Sequence, residues 1–548
     1  MISLQQYEEL VEDGLNADEV LKLIRRRSMI HGFDYGDRVK PEIVVTDGIM
    51  ASKKSTNLIK SLKKGVTNGQ ALKECYLIIV PYLGEVTRYL EDLKELNFAQ
   101  PEVTDGCNKR DDFLRLIQDG RNIVTTHAMF HLWGEQIRDE IAHKEYNIII
   151  DEEITCIEPL EMTLKAYKEL CATEYISVDA NGRITWDTSK SGGVDEYDGM
   201  FKKIMQHCIS GSVFLCNNSK TSNTKVFMIW NLPTDFFQVG KTMRIMTFRF
   251  KSSIIRAYCD LHKLEYRVEY TNKEAQRAMH KRATDFIDLI DLPKSIQGFI
   301  LGKTALCHSW PRNQKVEDLK TIRTKIANWL RKTLKVTNDD LIYTCSKELS
   351  DPSNKKNLAL PRFRNKEVDA EHKAKGITNL GPWLPFNTNG TNLFKDKKVV
   401  LYMHNVYPNV TLTKFFEENK VYFNKDEYAL SCLLQFIWRS CIRRGEEEVD
   451  AEGNVYQVPV EDRSIKLILP SLRMKKLFIE WRDTQLEFDN AATKYRLTNP
   501  SGDLVEFMNL SDFCMLNDID KGNLSKVLKG ERTQHKGWKL PLSSDECF

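Results

Sequence analysis

The chain has 548 residues, of which 41% are apolar and 29% charged, proportions that are ordinary for a globular protein. This length predicts two to four domains, and the net charge of +3 permits a nucleic-acid partner without requiring one. The 13 cysteines include no C-x-x-C pair, which favours free thiols over disulfides or a zinc site. No apolar run approaches the length of a membrane span and the N-terminus lacks a signal-peptide pattern, so we expect a cytoplasmic protein without a membrane partner.

The first part of the chain alternates between β-branched runs and amphipathic segments. Residues 1–40 predict a helical extension, and the alternation then runs from residue 41 to about 265. Continuous apolar runs separated by helices are typical of a parallel sheet covered on both faces. The predicted strands are 43–46, 76–80, 122–125, 146–150, 226–230 and 243–247.

A second alternating region begins near residue 275 and predicts another parallel sheet, with strands at 341–344, 398–402 and 465–469. The acidic stretch 446–462 predicts a hairpin or surface loop. We therefore expect an N-terminal extension at 1–40, one α/β lobe at 41–272, a second at 273–485 and a small module at 490–548.

A near match to the phosphate-binding pattern G-x-x-x-x-G-K-[ST] follows the first strand. Gly48, Lys54 and Ser55 fit the pattern, whereas Lys53 stands where the second glycine belongs. In such a loop Lys54 neutralises phosphates and Ser55 binds Mg²⁺. The predicted phosphate-binding residues are Gly48, Ala51, Ser52, Lys53, Lys54, Ser55 and Thr56.

The apolar run 146–150 ends in Asp151 and Glu152, which places two carboxylates at the carboxyl edge of the predicted sheet. An isolated Asp-Glu pair more often marks a solvated strand end. Beside a phosphate-binding loop, we interpret Asp151 as a Mg²⁺ residue and Glu152 as the group that orients or deprotonates the attacking water.

Gln435, Arg439 and Arg443 lie in a predicted helix from about residue 425 to 444. Arginines four residues apart project from one face of a helix, where they can stabilise charge on a transferred phosphoryl group. The alternative is a solvated basic face on an ordinary packed helix.

The C-terminal stretch predicts a hairpin at 495–507 followed by two short helices, the first capped by Ser511 and the second at 521–530. This is a helix-turn-helix layout, with packing of a basic tail as the alternative. It resembles the DNA-binding repeats attached to phage homing endonucleases. The predicted DNA-contacting residues are Asn523, Ser525, Lys526, Lys529 and Trp538.

The order of these motifs resembles that of superfamily 2 helicases, close to the DEAD/DEAH-like DNA helicases of bacteriophages. The segment 387–392, which holds Gly390 and Thr391, resembles the motif that couples the nucleotide to the bound strand. Pro81, Thr126 and His127 fall where such helicases contact the strand.

The resemblance implies an α/β protein with two RecA-like parallel-sheet lobes in tandem. ATP and Mg²⁺ would lie between the lobes and single-stranded DNA across both, with duplex DNA at the C-terminal module. It makes Ser55 and Asp151 the metal residues, and Lys54, Asp151, Glu152, Gln435, Arg439 and Arg443 the catalytic set. The implied function is an ATP-dependent DNA helicase or translocase in phage replication, recombination or repair. Its implied location is the host cytoplasm, with replication or recombination proteins as partners.

Two departures from the family pattern leave an alternative open. Arg443 lies eight residues after Gln435, one more than the usual spacing. With the usual loop geometry, Lys53 must direct its side chain away from the phosphates or adopt a positive φ at a cost of about 1 kcal/mol. The alternative function is a non-enzymatic DNA-binding factor that binds nucleotide but hydrolyses it poorly.

Overall fold

The structure is a computed structural model. It describes residues 41–50, 52–64, 74–103, 107–180, 182–191, 197–216, 224–270, 273–360, 363, 370, 382–387, 394–449, 453–458, 460–488, 495–502, 504–507, 513–514, 517 and 519–540. The predicted extension at 1–40, Ala51, Gly390 and Thr391 lie outside these residues. The chain divides into two compact units, one up to Leu477 and one from Phe478 onward.

The first half of the larger unit contains eleven strands and eight α-helices among its described residues. The strands are β1 (Ile43–Asp47), β2 (Tyr76–Val80), β3 (Ile123–Thr126), β4 (Asn147–Asp151), β5 (Ile157–Thr163), β6 (Ile176–Val178), β7 (Arg183–Trp186), β8 (Ser212–Leu215), β9 (Lys225–Asn231), β10 (Thr242–Thr247) and β11 (Tyr266–Tyr270). The helices are α1 (Lys54–Lys64), α2 (Leu83–Asp92), α3 (Lys109–Gln118), α4 (His127–Phe130), α5 (Glu135–His143), α6 (Leu164–Ala172), α7 (Lys202–Ser210) and α8 (Ile254–Leu261). Short 3₁₀ turns lie at Lys94–Leu96, Thr234–Phe237 and Phe250–Ser252.

Six of these strands form a parallel sheet in the order β11-β1-β10-β4-β2-β3. The apolar runs fill it on both faces, as in β4, where Ile148, Ile149 and Ile150 are all buried. The register aligns Asp47 with Thr247, and Met246 with Asp151. Strands β1, β10 and β4 therefore end together at one edge. We call this sheet and its helices the first lobe.

A five-stranded antiparallel sheet, ordered β5-β9-β8-β7-β6, is inserted between β4 and β10. The prediction that the run 226–230 belongs to the parallel sheet is wrong, because β9 pairs antiparallel with β5 and β8. Both faces of β9 are covered by neighbouring elements, so its apolar run looks like that of a buried parallel strand.

The second half of the larger unit contains strands β12 (Ile287–Ile290), β13 (Leu341–Thr344), β14 (Val399–Tyr402), β15 (Glu446–Val449), β16 (Val455–Val458) and β17 (Ile465–Ile468). Its helices are α9 (Lys273–Asp285), α10 (Lys294–Gln297), α11 (Val316–Lys332), α12 (Lys347–Ser350), α13 (Val410–Glu418), α14 (Lys425–Ile437) and α15 (Leu472–Phe488), with 3₁₀ turns at Trp310–Asn313, Cys441–Arg443 and Glu461–Arg463. Helix α15 extends past Leu477 into the smaller unit.

A second parallel sheet has the order β12-β17-β14-β13. We call this sheet, its helices and the hairpin formed by β15 and β16 the second lobe. Strands β15 and β16 form a separate antiparallel hairpin, as predicted for the acidic stretch. The predicted α/β architecture of two RecA-like parallel-sheet lobes in tandem is confirmed.

The smaller unit holds β18 (Tyr495–Thr498), β19 (Leu504–Phe507), α16 (Lys521–Leu528), β20 (Gln534–His535) and β21 (Trp538–Lys539). Its strands form one antiparallel sheet in the order β19-β18-β21-β20, and the predicted hairpin is present. The helix-turn-helix is not confirmed, because most of its predicted first helix lies outside the described residues. No helix in the described part of the chain is long and apolar enough to cross a bilayer.

Candidate functional site

A cleft of about 470 Å³ lies between the carboxyl edge of the first sheet and the second lobe. Parallel sheets bind ligands at this edge, because the strand ends and the following loops converge there. The residues that line it from the first lobe include Ser52, Lys53, Lys54, Ser55, Thr56, Pro81, Glu85, Arg88, Asp151, Glu152 and Thr247. Those from the second lobe include Lys395, Gln435, Trp438, Arg439, Arg443, Arg444 and Gln457.

The loop after β1 folds as a compact turn around the Lys54 side chain. Its backbone is fixed to β10 by the N–H of Gly48, which donates to the Thr247 carbonyl at 3.0 Å. The Lys54 ammonium donates to the Gly48 carbonyl at 2.5 Å and lies 3.4 Å from that of Ile49. Burial lowers the pKa of Lys54, and the carboxylates of Asp151 and Asp47 oppose that shift. A phosphate would therefore meet a buried cation.

Lys53 occupies the position of the missing glycine with φ 56°, in the left-handed region. Of the two geometries expected for this residue, the chain uses the positive φ, and the loop keeps the backbone that glycine would supply. The Lys53 ammonium forms an ion pair with Glu447 of β15 in the second lobe. Its side chain is thus anchored outside the loop while the backbone turns normally.

Ser55 and Asp151 form an oxygen pair suited to a hard divalent cation. The Ser55 hydroxyl donates to Asp151 Oδ2 at 2.7 Å, and the Tyr89 hydroxyl donates to the same oxygen at 2.8 Å. Hydroxyl and carboxylate oxygens, completed by phosphate oxygens and water, are the ligands that Mg²⁺ prefers. These residues fit a Mg²⁺–nucleotide. Tyr89, on α2, orients the carboxylate and has no sequence signal of its own.

Glu152 faces the cleft from a strained position directly after β4. Its φ is 69° and its N–H donates to the Met246 carbonyl at 2.9 Å, which fixes the turn. Its Oε2 is buried and accepts no hydrogen bond from the described residues. Burial raises the pKa of Glu152 to about 7, against the opposing charges of Arg439 and Lys54. A carboxyl with this pKa can accept a proton near neutral pH.

The predicted arginine helix is shorter than expected. Helix α14 ends at Ile437, with Trp438 as its C-cap, so the prediction that it runs to residue 444 is wrong. Arg439 lies just beyond the helix and Arg443 in the following 3₁₀ turn, yet both line the cleft with Gln435. Burial lowers the pKa of both arginines, and Glu152 opposes the shift in each. Arg439 Nε has no hydrogen-bond partner among the described residues.

The third carboxylate of this segment, Glu153, serves the fold. Its Oε1 accepts a hydrogen bond from the Ile255 N–H at 2.9 Å, in the first turn of α8. The sequence pattern could not separate this role from that of Glu152, since the two residues are adjacent.

The three predicted strand-contacting residues of the first lobe lie at the ends of β2 and β3. Pro81 lines it, and Thr126 caps α4 by accepting from the Met129 N–H at 3.4 Å. His127 Nε2 is 3.0 Å from the Asp151 carbonyl oxygen, and burial lowers the pKa of this histidine to about 4. The neutral imidazole thus braces the backbone of Asp151.

The predicted DNA-contacting residues of the C-terminal module differ in their exposure to solvent. Lys526 and Lys529 are exposed, and Asn523 and Ser525 are half-buried on α16. The amide oxygen of Asn523 accepts from Arg532 Nη1 at 3.1 Å. Trp538 is 8% exposed and packs edge-on against Phe513, so the structure places it in the core of the module and not on a DNA-facing surface.

The chain matches one described family and one curated relative. Residues 283–452 match the YonV C-terminal Rossmann-like domain. That range includes Arg439 and Arg443. Over 464 residues the chain is 27% identical to the SPbeta prophage-derived uncharacterized protein YonV of Bacillus subtilis (strain 168), covering 82% of this chain and 100% of the relative.

Similar solved structures include Xpd4 of S. tokodaii, at 11% identity and a TM-score of 0.34, covering 83% of this chain and 95% of that one. The DUF1998 helicase MrfA bound to DNA and AMPPNP is 11% identical with a TM-score of 0.31, covering 94% of this chain and 59% of MrfA. T4 UvsW is 11% identical with a TM-score of 0.21, covering 81% and 72%.

Proposed function

We propose that this protein is an ATP-dependent DNA helicase or translocase that hydrolyses ATP between its two lobes. One observation carries the proposal. Lys54, Ser55, Asp151 and Glu152 of the first lobe share a cleft with Arg439 of the second. Packing of an α/β sheet does not require that combination, whereas phosphoryl transfer uses each of these groups.

The first lobe supplies the groups for binding and for proton transfer. Lys54 offers its ammonium to the phosphates, and Ser55 and Asp151 hold Mg²⁺, which supplies charge neutralisation at the phosphate oxygens when bound. Glu152 is the general base, because its free Oε2 faces the cleft and its pKa of about 7 suits proton acceptance. Gly48, Ser52, Lys53 and Thr56 complete the loop.

The second lobe supplies the positive charge that completes the site. Arg439 and Arg443 approach the cleft opposite Lys54 and Glu152, where their guanidinium groups stabilise charge developing on the transferred phosphoryl group. Gln435 lies beside them. Because these residues and the phosphate loop belong to different sheets, hydrolysis requires both lobes to be in place, which couples turnover to lobe movement.

DNA is the proposed substrate of the motor. Its single strand would lie across both lobes, near Pro81, Thr126 and His127, with Gly390 and Thr391 coupling the strand to the nucleotide. Exposed lysines on α16 would contact the backbone of duplex DNA. The prophage origin of the relative YonV supports a role in phage replication, recombination or repair.

The test is ATP hydrolysis by the purified full chain with and without single-stranded DNA. We expect DNA-stimulated turnover in the wild type and its loss in Lys54→Ala and in Glu152→Gln. Lys94→Ala, at an exposed lysine of the same lobe, is the control and should hydrolyse ATP normally. Wild-type turnover no higher than in Lys54→Ala would refute the motor and identify a non-enzymatic DNA-binding factor.

A further inference from the structure

The acidic hairpin of the second lobe lies directly against the nucleotide loop of the first. Its strands pair Glu447 with Gln457, and Val449 with Val455. Directly opposed residues of an antiparallel pair project from the same face. Glu447 forms its ion pair with Lys53 and Gln457 lines the nucleotide cleft, so this face is the one turned to the loop.

A second contact holds the hairpin to helix α1. The Val455 N–H donates to Asn57 Oδ1 at 3.0 Å, and Asn57 Nδ2 donates to the Val455 carbonyl at 3.2 Å. A strand at the edge of a two-stranded hairpin has outward N–H and C=O groups that need partners. The Asn57 amide supplies both, as a neighbouring strand would, which fixes β16 in one register on α1.

Charge complementarity reinforces these two contacts. Glu447 is the β15 carboxylate on the face turned to the loop, whereas α1 and the residue before it contribute Lys53, Lys60, Lys63 and Lys64. The Lys53 hydrogen bond and charge, followed by the more distant charge of Lys60, lower the pKa of Glu447. The position where a Cβ on Gly453 would lie is 3.6 Å from the Lys64 ammonium, which places Gly453, just before β16, beside the end of α1.

We propose that this hairpin is a clamp that closes over the nucleotide site and slows nucleotide release, with Lys53 and Asn57 as its docking residues. Lys53 is then a positioning residue. Its left-handed backbone preserves the loop, and its side chain ties the loop to the second lobe. The lysine in place of glycine thereby links nucleotide retention to lobe contact. The retention part of this proposal rests on the proposed nucleotide site, whereas the docking part does not.

The test compares Glu447→Lys with Glu446→Lys in the full chain. Successive residues of a strand point to opposite faces, so Glu446→Lys makes the same change of charge on the face turned away from the loop. Dissociation of mant-ADP with Mg²⁺ is measured by stopped flow against excess unlabelled ADP. We expect Glu447→Lys to release mant-ADP about fivefold faster, a factor that an exposed ion pair can supply. Glu446→Lys should remain within about twofold of the wild type. Equal acceleration by the two variants would overturn the retention role.

Hydrogen exchange tests the docking without nucleotide. In Glu447→Lys we expect faster exchange at residues 53–57 and 453–458, and in the charge swap Lys53→Glu/Glu447→Lys a return toward the wild-type rates. The swap is read by exchange alone, since a carboxylate at position 53 also faces the cleft. Unchanged exchange in Glu447→Lys would overturn the clamp. If the wild type binds no mant-ADP, the proposed function and the retention role both fail, while exchange still decides the docking.

Discussion

Glu152→Gln is expected to stabilise the free protein at alkaline pH while it abolishes hydrolysis. Burial raises the pKa of Glu152 from 4.5 to about 7, so the folded state holds a proton that the unfolded state releases at lower pH. This contribution to stability is therefore fully present below pH 4.5 and is lost as the pH rises through about 7. Glutamine has a similar shape and carries no charge at any pH. The variant therefore does not lose this contribution to stability as the pH rises.

The expected size of the effect follows from the pKa shift. A rise from 4.5 to about 7 corresponds to roughly 3 kcal/mol at about 1.4 kcal/mol per unit. Arg439 loses its opposing charge in the variant, which reduces the gain, so we expect a net stabilisation of about 1–3 kcal/mol at pH 8. In a lobe of about 200 residues this raises the midpoint of unfolding by about 2–8 °C.

The assay is thermal unfolding of the nucleotide-free protein between pH 5 and pH 8.5. Glu91→Gln, at an exposed glutamate of the same lobe, is the control and should match the wild type throughout. For Glu152→Gln the midpoint difference should be small at pH 5 and reach its full value above pH 7. A difference that does not change with pH, or a variant less stable than the wild type at pH 8, would refute the assignment of a buried, ionisable Glu152.

Three further outcomes follow from the same contacts. The wild-type hydrolysis rate should fall about tenfold per pH unit below pH 7, because Glu152 must be ionised to accept a proton; a flat profile would argue against this base. Tyr89→Phe removes a hydrogen bond to Asp151 and should raise the Mg²⁺ concentration for half-maximal turnover at least about tenfold; an unchanged Mg²⁺ titration would contradict that role. Lys526→Ala/Lys529→Ala should reduce the slope of log binding constant against log salt concentration for duplex DNA by about two, with hydrolysis in the absence of DNA unaffected. An unchanged slope would mean that the duplex binds elsewhere.

Short-range patterns predicted much of the two lobes. The runs 76–80 and 341–344 form strands with the predicted bounds. A short continuous apolar run bounded by polar residues is typical of a buried strand. The loop at Lys54 and the carboxylates at the end of β4 lie at the same edge of the sheet, as predicted, since the carboxyl ends of parallel strands share one edge. The catalytic and binding roles assigned to Lys54, Asp151 and Glu152 from the sequence remain predictions.

Features that depend on distant partners could not be predicted from local pattern. The run 226–230 is apolar like its neighbours, and nothing within it reveals that it pairs antiparallel with β5 and β8. The loop pattern alone does not explain a lysine at position 53, because the partner of its side chain, Glu447, lies 394 residues away. Trp538 was predicted to contact DNA, whereas its ring packs in the module core, which an isolated aromatic residue in a basic tail does not show.

The most direct test of a shared site between the lobes is DNA-stimulated ATP turnover by Arg439→Ala, measured beside its affinity for mant-ADP. Arg439 is 7% exposed and faces the cleft from the second lobe, whereas the phosphate loop belongs to the first. We expect mant-ADP affinity within a few-fold of the wild type and turnover lowered by about 10²–10³-fold, the cost of removing a transition-state donor. Turnover equal to that of the wild type would contradict a nucleotide site built by both lobes.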